Sequence, residues 1–257
     1  MFAFILRTGD KGGLTVSFAE LGKAVRKQFF YKFKLFFGLF YSLVITQAIA
    51  IVFSFNGTGS ISSGQIGQIH FYSADIVLVF TFGWAFISAL QLTTKPFRDN
   101  EYLFVFNRLS SHLSNLLFLL ALSFIGGLSA YLSGYLLKVA VYIFFDFQLI
   151  GTNDITSPAV VVAGIITIVL YIWMFASLGY MVGSLVQFQK VFAILIPSII
   201  IGCLILVALS ESEAIIRIGK FYFFESSFLL VFIKTTATVC LCFLISAVST
   251  NHLEVRK

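Results

Sequence analysis

Two ionisable side chains stand in otherwise apolar runs: Lys234, about a third of the way along 226–248, and Asp75, near one end of 71–92. A charge in hydrocarbon is costly, so such residues pair, face a water-filled path, or relay ions. Lys234 fits a translocation cavity or a cross-helix pair, and it also fits a long stem lifting its amine to the outer interface. Asp75, with His70 just before it, is the other intramembrane charge. Beyond these the chemistry is sparse. His112 and His252 lack metal-ligand spacing, and Cys203, Cys240 and Cys242 sit in apolar runs as packing residues. No phosphate-binding loop, HExxH pair or nucleophile elbow occurs. The chain is therefore expected to hold no catalytic residue, metal or cofactor, and nucleotide chemistry would belong to another subunit.

The elements around these residues follow from composition. Of 257 residues, 59% are apolar and 11% charged, against roughly 25% charged in soluble domains. The apolar residues gather into runs of about 20, enough to cross a hydrocarbon core of roughly 30 Å. They predict an all-α membrane protein with six transmembrane helices at 35–55, 71–92, 115–137, 159–186, 191–210 and 226–248, in one transmembrane domain over 1–257. Asn56-Gly57-Thr58-Gly59-Ser60 reads as a flexible turn after the first span, and Pro96 as a stop after the second. Met1 to Leu6 is apolar before it is basic, which argues against a cleavable signal peptide.

Charge sets the expected orientation. Of 17 Lys and Arg, only Lys138, Arg217 and Lys220 fall on one side and Lys234 lies within a span; the others fall on the opposite side. Positive residues stay preferentially cytoplasmic, so both termini are expected there. The same distribution accounts for the net charge of +6 without nucleic acid.

Segments between the spans carry the rest of the reading. Over 16–34, Phe18, Leu21, Val25, Phe29 and Phe33 recur on one helical face, and Glu20, Lys23, Lys27, Tyr31 and Lys34 on the other. This predicts an amphipathic in-plane helix whose Lys23, Arg26, Lys27, Lys32 and Lys34 meet anionic headgroups at the inner interface, the alternative being an early start to the first span. Over 98–112, Asp99 or Asn100 can cap a cytoplasmic helix bearing Glu101, Tyr102, Phe104, Phe106 and Arg108. Exposed aromatic surface of this kind marks a protein contact, the alternatives being a helix resting on the membrane or the cytoplasmic end of the third span. The stretches 211–225 and 138–150 are too short to span and too apolar for free loops, so external membrane-dipping helices are expected. Gly179 and Gly183 form a small-xxx-small pair suited to close packing within the chain or between copies. Pro197 and Gly202 suggest a local bend.

Taken in this order, the basic in-plane helix, cytoplasmic helix, six spans and membrane-dipping segment resemble the permease subunit of an ABC-2 type (type V-like) exporter. The sharpest portion, Lys95-Pro96-Phe97-Arg98-Asp99-Asn100-Glu101-Tyr102-Leu103-Phe104-Val105-Phe106-Asn107-Arg108-Leu109-Ser110, is similar to the coupling helix of small Gram-positive permeases. Within the family the chain looks most like the group exporting phenol-soluble modulins or antimicrobial peptides. The resemblance implies a dimer with a second permease copy or paralogue and two ABC ATPase subunits, which would bind ATP and Mg, in the bacterial cell membrane. Tyr102, Phe104 and Phe106 would then anchor in the ATPase and Glu101 and Arg108 orient the helix. Apolar or amphipathic peptide cargo suits the 32 Phe and 10 Tyr, though lipid-facing rings explain them equally well. An ion-coupled carrier using Asp75 and Lys234, and a non-transporting assembly or immunity protein, are the competing functions.

Overall fold

Alternating apolar runs and short polar joints dictate a row of helices, and a computed structural model describes them over residues 18–35, 37–55, 59–63, 67–71, 74–94, 108–145, 157–189, 191–209, 217, 219, 221–225 and 227–253. Among these residues the long helices are α1 (Phe18–Leu35), α2 (Gly38–Ser54), α3 (Asp75–Leu92), α4 (Arg108–Phe145), α5 (Pro158–Phe188), α6 (Phe192–Leu209) and α7 (Phe228–Leu253). Four pass as membrane spans by length and hydropathy: Asp75–Leu92, Ser111–Ile143, Pro158–Phe188 and Phe228–Ser249. Val25–Lys34 and Gly38–Ser54, bent by 56°, make a fifth if they count as one broken span. The chain is thus a helical multi-pass membrane protein.

An antiparallel hairpin, β1 (Gly59–Ser63) and β2 (Gly67–Phe71), pairs Ile61 with Ile69 and Ser60 with His70. This corrects two expectations. Part of the turn at 56–60 is strand, and Phe71 closes β2 instead of opening a span, so α3 begins at Asp75. The reason is a period of two, Ser-Ile-Ser answered by Gln-Ile-His, which favours extended pairing over the helix that hydropathy suggested. Asp75 in the first turn of α3 also suits the positive end of the helix dipole.

The helix α4 has 38 residues and is about 57 Å long, nearly twice the roughly 30 Å of hydrocarbon. It absorbs two pieces expected to be separate: 108–112 of the cytoplasmic helix and 138–145 of the dipping segment. No Gly or Pro interrupts either stretch, and a single Lys138 breaks the hydropathy run without breaking the helix.

At the centre lies α5, packed most extensively on α7 and α3 and next on α4. Ser157 with ψ 144° and Pro158 at its first position start it cleanly. Its buried small residues Ala176, Ser177, Gly179, Gly183 and Ser184 let neighbours approach. A Cβ at Gly179 would collide with the backbone of Phe86 on α3, and one at Gly183 with the Thr93 side chain just past it. The pair is therefore an internal seam between α3 and α5. Around it Leu43, Trp84, Phe118, Leu122, Ile172 and Val239 form the apolar core. Buried hydroxyls of Thr81, Ser123, Ser184 and Thr235 donate to the carbonyl four residues earlier, so lipid leaves them satisfied. The stretch expected as the span 191–210 forms the helix α6, which is not among the four spans named above and packs only lightly on α5.

Candidate functional site

Polar side chains inside an apolar bundle are where function concentrates, and one chain of them ties three helices together. On α1, Val25, Gln28 and Lys32 recur at helical spacing and are all buried, Lys32 at 3% exposure. The Lys32 ammonium donates to Oδ1 of Asn115 on α4. Asn115 Nδ2 donates to the hydroxyl of Tyr180 on α5 at 3.0 Å, and that hydroxyl lies 3.1 Å from Nδ1 of His112, one turn before Asn115. The Tyr180 ring stacks on Phe243 of α7, 5.1 Å between centroids, which carries the network to a fourth helix. A buried ammonium persists only where oxygen acceptors replace water, and Asn115 supplies one.

Lys32 thus departs from its expected place among headgroups. It shares the face of Val25 and Phe29, seven residues on from Val25, whereas Lys23, Arg26, Lys27 and Lys34 are exposed. Asn115 and Tyr180 were not among the expected site residues. A signal was available, since Lys32 lies in phase with the apolar stripe of its own helix.

A second polar cluster lies deeper. Gln47 of α2, 5% exposed, donates to Ser129 of α4 at 3.0 Å and to Thr81 of α3 at 3.4 Å. Nearby, the Trp84 indole donates to Ser42 at 2.9 Å. These bonds bring α2, α3 and α4 into register where hydrophobic contact alone has no direction.

The third cluster answers the question posed by Lys234. Its ammonium pairs with Glu225, donates to the Phe221 carbonyl at 3.0 Å, and sits 3.7 Å from the centroid of the Phe221 ring. Tyr222 in turn contacts Thr238 of α7 at 3.0 Å, and the Tyr171 hydroxyl of α5 donates to the Tyr222 carbonyl. Residues 221–223 are helical, so this part of the expected 211–225 segment is a short turn folded back onto α5 and α7. Lys234 reaches up its own helix to hold that turn, as a snorkelling lysine does. Asp75 is exposed at the start of α3, and the ion pair of Lys234 is made with Glu225.

Of the expected coupling residues, Glu101, Tyr102, Phe104 and Phe106 lie outside the described residues, and Arg108 is the first residue of α4. Among the described residues no three His, Cys, Asp or Glu side chains gather as a metal set, and Cys240 and Cys242 are free thiols. No protein-family model, curated protein or solved structure matches the chain.

Proposed function

We propose that the chain is the permease subunit of an ATP-binding cassette exporter, acting with a separate ATPase in the bacterial cell membrane. One observation carries this reading. The helix α4 starts at Arg108, where the aromatic segment 98–107 ends, and its second turn already holds His112 and Asn115, bonded to Tyr180 and Lys32. A push on the aromatic segment would pass along a rigid helix into α1 and α5 within about 10 Å of axial rise. Tyr102, Phe104 and Phe106 then serve as anchors for the ATPase groove, with Glu101 and Arg108 orienting them. Two ATPase copies supply ATP and Mg, and a second permease completes the assembly. The six crossings are α2 through α7, the termini are cytoplasmic, and α1 lies along the inner interface.

The cargo in this reading is an amphipathic or apolar peptide, such as a toxin or antimicrobial peptide. The turn at 221–225, clasped by Lys234 and Tyr171, would cover the outer halves of α5 and α7 between transport cycles. That role for Lys234 accounts for its charge without an ion-coupled carrier.

Co-purification with an ABC ATPase tests the reading. A double change, Phe104→Asp with Arg108→Glu, is expected to abolish association while leaving the permease in the membrane. Unchanged association, or transport in liposomes without any ATPase, overturns it.

A further inference from the structure

The surface groove between α1 and α4 combines an apolar wall with a basic residue. Its walls are apolar, formed by Val25 and Phe29 on α1 and by Leu117, Ala121 and Phe124 on α4, and it encloses about 900 Å³. Arg26, itself exposed, also lines the groove through its aliphatic stem, and the lining holds no acidic residue. Along α4 the groove extends from Leu113 to Ile125, about 18 Å at the rise of a helix, close to the roughly 15 Å of one leaflet's hydrocarbon. Lys23, exposed and one turn before Arg26, adds to a positive field beside an apolar slot.

We infer that this groove is a binding site for one anionic glycerophospholipid, its acyl chain lying against Leu117, Ala121 and Phe124 and its phosphate paired with Arg26. Charge complementarity selects the occupant. A zwitterionic lipid offers the same chain but cancels the attraction, and Arg presents a planar fork matched to phosphate oxygens. The lipid would wedge α1 against α4 beside the Lys32–Asn115 bond, so the site belongs to the joint between the first helix and the bundle. It stands independently of the exporter reading, because it needs only a membrane.

The test uses the full-length protein, purified in mild detergent and offered phosphatidylglycerol or phosphatidylcholine of identical chains. Native mass spectrometry is expected to retain one phosphatidylglycerol in preference to phosphatidylcholine. Arg26→Gln should cut that preference about fivefold, the effect of about one basic residue on an anionic surface. Gly22→Trp should abolish retention of both lipids. Gly22 lines the groove and a Cβ there meets nothing within 4 Å, so this variant fills the site without straining the helix. Lys34→Gln, exposed and outside the groove, should change nothing. A photoactivatable phosphatidylglycerol applied to the unmodified protein should crosslink within 113–125. Equal retention of the two lipids, an Arg26→Gln variant with intact preference, or crosslinks confined to other helices overturns the site. Displacement of the lipid by an amphipathic peptide that itself crosslinks to Phe124 also overturns it, making the groove a cargo site.

Discussion

Lys32 of α1 donates its ammonium to the side-chain oxygen of Asn115 on α4, and the other end of that amide donates to Tyr180 on α5. One amide therefore bridges a charge on the first helix and a hydroxyl on the central one. Hydrogen bonds to charged groups contribute about 1.5–3 kcal/mol, and leaving such a group buried costs at least as much. Asn115→Leu should destabilise the bundle by about that amount in thermal unfolding in detergent. Lys32→Met should cost less, because an apolar chain of similar length replaces the charge. The double variant should recover part of the Asn115→Leu loss; strict additivity would show that the two groups do not interact.

The α3–α5 seam predicts an ordering among glycines. Gly179→Ala drives a methyl into the Phe86 backbone, which cannot move without its helix, whereas Gly183→Ala meets the Thr93 side chain. The first should destabilise by about 1–3 kcal/mol and the second by less. Gly83→Ala meets nothing within 4 Å and should gain up to about 1 kcal/mol from helix propensity. Unfolding midpoints of the three variants check the order, and equal losses at positions 83 and 179 would contradict the seam.

For the clasp between Lys234 and Glu225, Glu225→Gln and Lys234→Gln should each loosen residues 221–225, raising the labelling rate of a cysteine placed at the exposed Phe223. The swapped pair, Glu225→Lys with Lys234→Glu, should restore slow labelling. Since the pair is partly solvated, its coupling is expected near 1 kcal/mol or below, a several-fold rate change at most. A swap as fast as either single variant would mean that the backbone and aromatic contacts alone hold the turn.

Topology gives a fourth test. In a background lacking the native cysteines, Ser62→Cys in β1 should react with an impermeant maleimide on intact cells, and Glu101→Cys only after the cells are opened. Reaction of Glu101→Cys from outside would reverse the assigned orientation and with it the ATPase reading.

Much of the architecture was already written in periodicity. Runs of apolar residues located α2, α5, α6 and α7 to within a few residues, because burying backbone polar groups in lipid permits little other than helix. The amphipathic stripe of α1 was visible for the same reason. The hairpin was not, since Gly and Ser in 59–63 match a turn as readily as a strand until a second segment pairs with them. Nor was the length of α4, because hydropathy reports where lipid is, and a helix continues past that boundary wherever nothing breaks it.

What the chain of residues determined alone was membrane residence, helical class and the location of Lys234 within a helix. Which groups meet was decided only by folding. Lys32 to Asn115, Asn115 to Tyr180 and Gly179 to Phe86 join residues more than sixty positions apart in sequence, and such pairings depend on how helices cross and rotate. Lys234 shows the same division: its charge was plain in the sequence, but whether it faced a cavity or a neighbour awaited the turn that brought Glu225 and Phe221 back over it. Local pattern sets each helix's faces, and packing selects the partner each face receives.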